Sequence, residues 1–276
     1  MIVIVGRSGN LSLALQQIYQ DADVRVIGSE IAQGWTGEDS QRRIKNDLED
    51  LRIFPNLIIN ASGEINPRAK FPELLAVNYH LPKNLQDYSQ KHGIKLVTFG
   101  SIMENLKDIT DSNLYLMSKR KYFDYFKKEL TLDTNSLHLQ IHTWYGLRKP
   151  SSSMFLGQMY QALKDKKVFN MSDGTQLREY HNVFDDLKAV QHLLNQNFSG
   201  VVQINHGEVL SLKEIAKSIF DSLNSINLLR IGTLSAPEHE VFAKHFQPTE
   251  LLESIKFRPT TEGLIADFKR LLRDQP

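Results

Sequence analysis

The first half of the chain alternates short apolar, β-branched runs with longer stretches in which apolar positions recur every three or four residues. The short runs predict buried strands, and the longer stretches predict amphipathic helices. The predicted strands are Ile2–Val5, Val24–Ile27, Leu57–Asn60, Lys95–Phe99 and Leu137–His142. The predicted helices lie near Leu11–Gln20, Ser40–Leu51, Glu73–Lys91 and Leu116–Leu130. This order is typical of βαβ units, so we expect an α/β fold with a doubly wound parallel sheet.

Beyond Gly146 the regular alternation loosens. A polar loop, RKPSSS, leads into a predicted helix from Met154 to Lys164, and short strands and helices follow it. No internal repeat, low-complexity tract or long polar linker separates the two parts. We therefore expect a sheet domain over residues 1–150, with returning segments near 178–206, and a smaller cap made mostly of residues 151–276.

Composition limits the chemistry that the chain can perform. With 276 residues and 41% hydrophobic side chains, the chain can bury a substantial core. Its net charge of +1 gives no overall field for nucleic acid or an acidic membrane, so an anionic ligand must be held by local groups. The absence of cysteine removes thiol nucleophiles, thiolate metal sites and disulfides. With no signal peptide or membrane span, we expect a cytoplasmic protein. We also expect no metal site.

The segment IVIVGRSGNLSLALQQI joins a strand, a glycine turn and a helix in immediate succession. Gly6 and Gly9 allow a tight turn and a close approach of the backbone to a pyrophosphate, and the helix start at Asn10 and Leu11 favours the anion. Ser12 is small enough for close packing of helix and strand. An ordinary βα turn is the alternative, but the context predicts a dinucleotide site.

The second predicted strand ends in VRVIGSE, where NAD-binding proteins usually have an acid for the ribose hydroxyls. Gly28 occupies that position here. Without a carboxylate to repel a 2′-phosphate, Arg7 and Ser29 could hold one, which favours NADP(H). Glu30 keeps NAD(H) open, since a one-residue shift of the strand end would restore the acid.

Tyrosine and lysine four residues apart share one face of a helix. An ammonium group beside a phenol is expected to lower the phenol pKa, which would let the tyrosine exchange a proton with a carbonyl or an alcohol. The spacing occurs at Tyr79/Lys83, Tyr115/Lys119, Tyr145/Lys149 and Tyr160/Lys164. Only Tyr115/Lys119 opens a long helix after the fourth strand. The hydroxyl of Ser101, at the end of that strand, would bind the same substrate oxygen.

With these motifs the chain resembles the extended short-chain dehydrogenase/reductase superfamily, in its branch of nucleotide-sugar epimerases, dehydratases and reductases. The resemblance runs in order through GRSGNLS, NASG, VNYHLPKNL, FGS, YLMSK, TWYG and DGTQLREYHNVFDDLKAV to the closing VQINHGEVLSLKEIAKSI and FRPTTEGLIADFKRLL. It implies a Rossmann-type domain that binds NAD(P) and a cap that binds substrate. It also implies a homodimer through the helices that begin near Glu73 and Tyr115.

The resemblance implies roles for individual residues. Ser101, Tyr115, Lys119 and Asn78 would be catalytic. Thr143, in place of the family's asparagine, would contact substrate with Ser101, and Arg178 would bind the nucleotide diphosphate. The implied cofactor contacts are Gly6, Arg7, Gly9, Asn10, Leu11, Ser29, Asn60, Ala61, Ser62, Tyr115 and Lys119.

Most of these residues also have a simpler interpretation. Asn78 could satisfy a local carbonyl, Ser101 could cap the next segment, and Arg178 could be an ordinary surface cation. His142 is more typical of a structural residue than of an acid. Phe155 and Phe169 are more typical of a core than of a base-stacking surface.

The residues after Ser101 distinguish between reactions of the family. Members that remove water resemble one another in an Asp-Glu pair directly after the strand-end hydroxyl, whereas Ile102 and Met103 follow here. The lack of cysteine argues against enzymes that resemble GDP-fucose synthase. The segment from Ser101 to Lys119 looks most like CDP-abequose and CDP-paratose synthases, and more loosely like dTDP-4-dehydrorhamnose reductase.

We therefore predict NAD(P)H-dependent reduction of the C4 keto group of a nucleotide-activated deoxysugar, for the biosynthesis of surface polysaccharides. The missing acid after the second strand, the short chain and the slender cap favour a reductase that releases its cofactor. One alternative is a C4 epimerase that retains NAD. The other is a cofactor-binding sensor or scaffold without catalysis, although such proteins typically lose the tyrosine or the lysine.

Overall fold

A computed structural model of the chain describes residues 1–106, 113–131, 134–235 and 247–273. Its strands are β1 (Ile2–Val5), β2 (Val24–Ile27), β3 (Leu57–Asn60), β4 (Lys95–Ser101), β5 (Ser136–Ile141), β6 (Thr143–Tyr145), β7 (Phe169–Asn170), β8 (Leu177–Arg178), β9 (Tyr180–Asn182), β10 (Gly200–Gln203), β11 (Leu210–Ser211) and β12 (Leu229–Arg230). Its α-helices are α1 (Asn10–Ile18), α2 (Ser29–Ala32), α3 (Ser40–Asp50), α4 (Phe71–Leu75), α5 (Leu81–His92), α6 (Leu114–Lys128), α7 (Phe155–Lys164), α8 (Val183–Asn195), α9 (Leu212–Ser222) and α10 (Thr260–Arg273). Single 3₁₀ turns lie at Gln33–Thr36, Ile102–Asn105, Ile226–Leu228 and Glu250–Leu252, and a π-helical turn lies at Ala76–His80.

Six strands form one parallel sheet in the order β10-β5-β4-β3-β1-β2. Ile2 of β1 is paired with Val24 of β2 on one side and with Leu57 of β3 on the other. Parallel strands are apolar along most of their length because helices cover both faces of such a sheet. This arrangement is a Rossmann-like α/β fold, which confirms the predicted fold class.

The strand order reverses between β1 and β3, because β2 follows β1 outward on one side while β4 and β5 continue on the other. At such a reversal the loops after the two central strands separate, and a crevice opens at the carboxyl ends of the strands. The turn that begins at Gly6 and the turn Asn60–Ser62 lie at this edge. The topology therefore assigns the two predicted cofactor-binding turns to the same end of the sheet.

The first three strands have the bounds that the sequence predicts. β4 is longer than predicted and ends at Ser101, and β5 ends at Ile141, so that His142 lies outside it. The helical stretch predicted near Glu73–Lys91 is helical throughout, but a π-helical turn that was not predicted separates α4 from α5. Pro82 has no N–H to donate to the carbonyl of Asn78 four residues earlier, so the α-helical hydrogen-bond ladder cannot pass through this point.

The chain divides into two compact units. The first contains Met1–Ile141 and Val190–Ile204, and the second contains His142–Ala189 and Asn205–Pro276. Part of the core of the first unit lies between the sheet and helices α3 and α5; it includes Val3, Val5, Ile44, Leu48, Leu85 and Leu96. None of the helices in the described ranges combines the length and the hydropathy that a membrane span requires.

The second unit contains three short two-stranded sheets, which pair β6 with β9, β8 with β11, and β7 with β12. Its core is formed by α7, α9 and α10 and includes Met159, Phe169, Ile219, Phe220 and Phe268. Phe155 packs against this core, edge-on to Phe169. The assignment of the two units to cofactor and substrate stays a prediction.

Candidate active site

The turn after β1 approaches the turn after β3 so closely that only a glycine fits. Gly6 has a φ of +112°, and a Cβ built on it would lie 3.0 Å from Ser62 Oγ and 3.2 Å from the carbonyl carbon of Ala61. The Ser62 hydroxyl and the Ala61 N–H both donate to the carbonyl of Val5, at 3.1 and 2.9 Å. These contacts fix the two strand ends to each other. Position 6 requires glycine for two reasons: its φ is positive, and there is no room for a side chain.

The first turn of α1 leaves its N–H groups open. Gly9 is its N-cap, no side chain caps the helix, and the first turn, which starts at Asn10 and Leu11, contains no acidic residue. Nothing lies within 4 Å of a Cβ built on Gly9, and buried Ser12 donates its hydroxyl to the carbonyl of Gly6. An uncapped helix start facing open space fits the diphosphate of a dinucleotide.

The side chains of Arg7 and Glu30 meet at the end of β2, beside Gly28. Gly28 is buried and precedes Ser29, the exposed first residue of α2. Glu30 folds back over Gly28, and its Oε1 lies 2.8 Å from Nη2 of Arg7. The Arg7 and Glu30 side chains are 61% and 56% exposed. An acid therefore lies at this strand end although the residue that directly follows β2 is a glycine.

Helix α6 fixes the predicted tyrosine and lysine beside the end of β4. The Asn113 side chain caps the helix by accepting from the N–H of Leu116 at 3.1 Å. Lys119 is buried, and its Nζ donates to the carbonyl of Phe99 at 2.9 Å. Tyr115 lies one turn earlier on the same helix face, so we expect it to lie near the end of β4 as well, where Ser101 is located.

Asn78 ties this helix to the loop after β3. Its Nδ2 donates to the carbonyl of Glu64 at 2.9 Å and to Ser118 Oγ at 3.0 Å, and its Oδ1 accepts from the N–H of Glu64 at 3.0 Å. A Cβ built on Gly63 would lie 3.8 Å from Lys119 Nζ and 3.9 Å from Asn78 Oδ1. Asn78 therefore lies close to Lys119 and makes the local hydrogen bonds of its simpler interpretation.

The expectation that Lys119 lowers the pKa of Tyr115 is wrong for this structure. Burial, and then the negative charge of Glu104, raise the pKa of Tyr115 to about 12. Burial lowers the pKa of Lys119, an effect that Glu104 opposes. The tyrosine therefore holds its proton as a phenol across the neutral range.

Glu104, which follows Ile102 and Met103 in sequence, lies one residue beyond the positions of the dehydratase acid pair. It lies in the 3₁₀ turn after β4, is fully buried, and accepts from the N–H of Ser101 at 3.1 Å while Ser101 Oγ accepts from Met103. Ser101 caps the 3₁₀ turn that follows it, in agreement with its simpler interpretation from the sequence. The spacing of Ser101 and Glu104 is that of a capping box, which is readable from sequence and could have drawn attention to this acid.

The two predicted substrate residues lie on different sheets of the second unit. Thr143 begins β6 and is paired with Tyr180 of β9. Arg178 lies in β8 opposite Leu210, and its Nη1 donates to the carbonyl of Leu177 at 2.7 Å. Both residues are partly buried. Their contact with substrate stays a prediction.

A buried cluster in the second unit resembles a set of metal ligands. The ligand atoms of His142, Glu179 and His181 lie within 4.8 Å of one another. His181, however, bridges two carboxylates, with Nε2 2.8 Å from Glu179 and Nδ1 2.6 Å from Asp186. Burial lowers its pKa, the carboxylates raise it, and the balance lies at about 9. A protonated His181 occupies the bonds that a metal would need, so we assign no metal to the cluster.

His142 is a structural member of the same cluster. It is buried, its Nε2 lies 2.8 Å from Asn205 Oδ1, and its ring stacks on His181 at 4.9 Å. Burial and the charge of His181 lower its pKa to about 4. A neutral imidazole with these partners agrees with the structural interpretation of this histidine.

The chain matches the model of the NAD dependent epimerase/dehydratase family over residues 2–207. No curated protein matches its sequence. Among solved structures it is similar to dTDP-4-dehydrorhamnose reductase from Bacillus anthracis in complex with NADP (TM-score 0.75, 18% identity, 98% of each chain covered). It is also similar to the Bordetella bronchiseptica enzyme WbmG in complex with NAD (TM-score 0.76, 16% identity, 98% of this chain and 94% of that chain). A third is UDP-N-acetylglucosamine 4-epimerase from Bacillus cereus (TM-score 0.73, 15% identity, 98% of each chain).

Replacing the two glycines of the turn separates folding from cofactor binding. Gly6→Ala forces alanine into a strained φ against Ser62, so we expect a loss of about 1–3 kcal/mol of folding stability. Gly9→Ala fills only open space at an N-cap and should cost less than about 1 kcal/mol. Because that space faces the helix start, Gly9→Ala should weaken dinucleotide binding about tenfold, or by about 1.4 kcal/mol.

Chemical denaturation and calorimetric titration with NADPH measure the two effects. Unchanged NADPH affinity in folded Gly9→Ala would show that the dinucleotide does not bind at this helix start.

Proposed function

Since this chain belongs to the NAD dependent epimerase/dehydratase family, we propose that it is an NAD(P)H-dependent reductase of the C4 keto group of a nucleotide-activated deoxysugar. One observation carries the proposal. Lys119, which shares a helix face with Tyr115, is fixed to the carbonyl of Phe99 two residues before Ser101, in the unit that also contains the uncapped glycine turn.

Each residue of the group has a chemical task in this reaction. A bound nicotinamide would supply the hydride for C4. Tyr115, a phenol at neutral pH, then donates its proton to the oxygen that becomes an alkoxide, because an alkoxide is a much stronger base than a phenolate. Ser101 donates a second hydrogen bond to that oxygen. Lys119 would orient the cofactor ribose.

The turn after Ser101 argues against removal of water. Ile102 is buried, and the fully buried carboxylate of Glu104 is occupied by hydrogen bonds from the Ser101 N–H and the Gln140 side chain. An acid and a base acting on adjacent sugar carbons would both have to face the substrate. With neither at the end of β4, hydride transfer at one carbon is the reaction that these residues support.

Substrate recognition is assigned to the second unit. Arg178 would bind the diphosphate, because a guanidinium group can donate two parallel hydrogen bonds to phosphate oxygens, and Thr143 would contact the sugar. Binding energy from the nucleotide, remote from C4, would then orient the reacting carbon. A homodimer through α5 and α6 stays a prediction.

We favour NADP(H) as the cofactor. Arg7 and Ser29 are exposed at the end of β2, where they could bind a 2′-phosphate. The partner that Arg7 has in the structure, Glu30, is also exposed. Since exposed ion pairs contribute about 0–1 kcal/mol, a phosphate can take Arg7 from Glu30 at small cost.

C4 epimerisation with retained NAD is the second candidate, and the position of Glu30 favours it. A carboxylate at this strand end can accept hydrogen bonds from both ribose hydroxyls of NAD. A panel of 4-keto nucleotide sugars with NADPH separates the candidates. Net oxidation of NADPH supports the reductase. Interconversion of two sugars with NAD held in the purified protein supports the epimerase, and activity in neither assay favours a non-catalytic role.

Tyr115→Phe removes the proposed proton donor and leaves the rest of the helix face in place. We expect turnover to fall at least about 100-fold with nearly unchanged cofactor affinity, because the hydroxyl that phenylalanine lacks is the proposed proton donor to the substrate oxygen. Steady-state kinetics and NADPH titration give the two values. Tyr125→Phe, farther along the same helix, is the control. Wild-type turnover in Tyr115→Phe would remove Tyr115 from the mechanism.

Arg7 and Glu30 should affect cofactor preference in opposite directions. Arg7→Ala should weaken NADPH binding about tenfold and NADH binding much less, because only NADPH has a 2′-phosphate for the guanidinium group. Glu30→Gln removes a charge that repels the phosphate and should raise the ratio of NADPH to NADH affinity. Dissociation constants for both cofactors test this pair, and tighter NADH than NADPH binding by the wild type would refute the NADP(H) assignment.

A further inference from the structure

The carboxylate of Glu104 is the most deeply buried acid beside the candidate active site. It is 0% exposed and accepts three hydrogen bonds: from the N–H of Ser101 at 3.1 Å, and from His138 and Gln140 at 2.8 Å each. A Cβ on Gly100 would lie 2.5 Å from Glu104 Oε2 and 2.5 Å from His138 Nε2. Because residue 100 is a glycine, the Glu104 carboxylate and the His138 imidazole can occupy the space that a side chain would fill.

A line of polar side chains leads through the first unit to this carboxylate. The Tyr122 hydroxyl lies 3.3 Å from Thr98 Oγ1, which lies 2.8 Å from His138 Nδ1. If Thr98 donates to Nδ1, the proton of the imidazole is on Nε2 and is donated to Glu104. This tautomer gives every member of the line a hydrogen-bond partner.

The charge of Glu104 has two effects on the helix that faces it. Burial is the larger cause of the raised pKa of Tyr115, and the charge of Glu104 raises that pKa further. Burial lowers the pKa of Lys119, and the same charge partly reverses this effect. Two more residues of the same helix face Glu104. Arg120 donates to the backbone carbonyl of Glu104 at 2.9 Å. Tyr122 has a raised pKa, and burial is the largest cause. From β5 the acid is faced by His138.

We propose that Glu104 is a positioning residue for the candidate active site: its buried carboxylate accepts from the Ser101 N–H and fixes the turn that carries the Ser101 hydroxyl, and its charge acts on the helix that carries Tyr115. The inference rests on the proposed function, in which Ser101 and Tyr115 both donate to the substrate oxygen. Removal of the charge should lower the pH at which Tyr115 changes from donor to acceptor, whereas withdrawal of the carboxylate from Ser101 should slow the reaction itself.

Two substitutions separate these contributions. Glu104→Gln keeps the size and removes the charge, so Tyr115 should ionise at lower pH. The measurement is the tyrosinate absorbance just after a rapid jump to about pH 11. The signal of Tyr115 is obtained by subtracting the absorbance of the same protein with the added change Tyr115→Phe. This difference should be at least about twofold larger in Glu104→Gln than in the wild type. The alkaline limb of kcat/KM for reduction should move to lower pH.

Glu104→Asp keeps the charge and shortens the side chain by one methylene. The aspartate can no longer reach the Ser101 N–H, so kcat should fall about tenfold with KM within about twofold and no change in the tyrosinate signal. Asp124→Asn is the matched control, because it removes an exposed carboxylate that pairs with Arg120. It should leave the tyrosinate signal and kcat unchanged.

A folded Glu104→Gln protein with the wild-type tyrosinate signal would overturn the role of the charge. Wild-type kcat in Glu104→Asp would overturn the positioning of Ser101, and this variant decides the matter alone if Glu104→Gln does not fold. If the wild-type protein reduces no 4-keto sugar, the proposed function fails, while the tyrosinate measurement, which needs no substrate, still tests Glu104.

Discussion

The candidate active site depends on one close backbone contact, between the turn after β1 and the turn after β3. Gly6 makes this contact possible because it combines a positive φ with the absence of a Cβ, and hydrogen bonds from Ser62 and Ala61 to Val5 hold it. The contact determines where the chain leaves β1, and therefore where α1 begins. Because the sheet order reverses at these two strands, the uncapped helix start opens into the crevice and not onto a covered face.

A second constraint comes from polar groups inside an apolar sheet. An unpaired buried polar group costs on the order of 1–3 kcal/mol, so each one here has to find a partner. Asn78 does so by joining the loop after β3 to α6, and Glu104 does so by joining β5 to the turn after β4. The bonds that satisfy these groups also fix the segments that carry Tyr115, Lys119 and Ser101. Stability and the geometry of the site thus depend on the same hydrogen bonds.

These contacts explain which features could be predicted from the sequence. The strands of the parallel sheet could be predicted because burial on both faces requires apolar, β-branched runs, and the glycine turn could be predicted because its backbone admits only glycine. The choice of Tyr115/Lys119 among four pairs came from their position after the fourth strand. The π-helical turn was missed because a proline within a helix is tolerated or disruptive depending on tertiary contacts. The raised pKa of Tyr115 was missed because its causes, first burial and then the charge of Glu104, depend on tertiary packing and cannot be deduced from local sequence.

The distinction between a reductase and an epimerase does not depend on the residues around C4. In the proposed mechanism Tyr115 would donate a proton as a phenol in reduction, and the same group would accept one as a phenolate in the oxidation that begins an epimerisation. The two reactions would then differ in whether the cofactor leaves after each turnover. Under the proposal, that difference depends on binding energy at the adenosine end of the cofactor, which we assign to the exposed ion pair of Arg7 and Glu30 beside Gly28. Because an exposed pair contributes about 0–1 kcal/mol, exchanging it for contacts with a cofactor that binds and leaves would cost little.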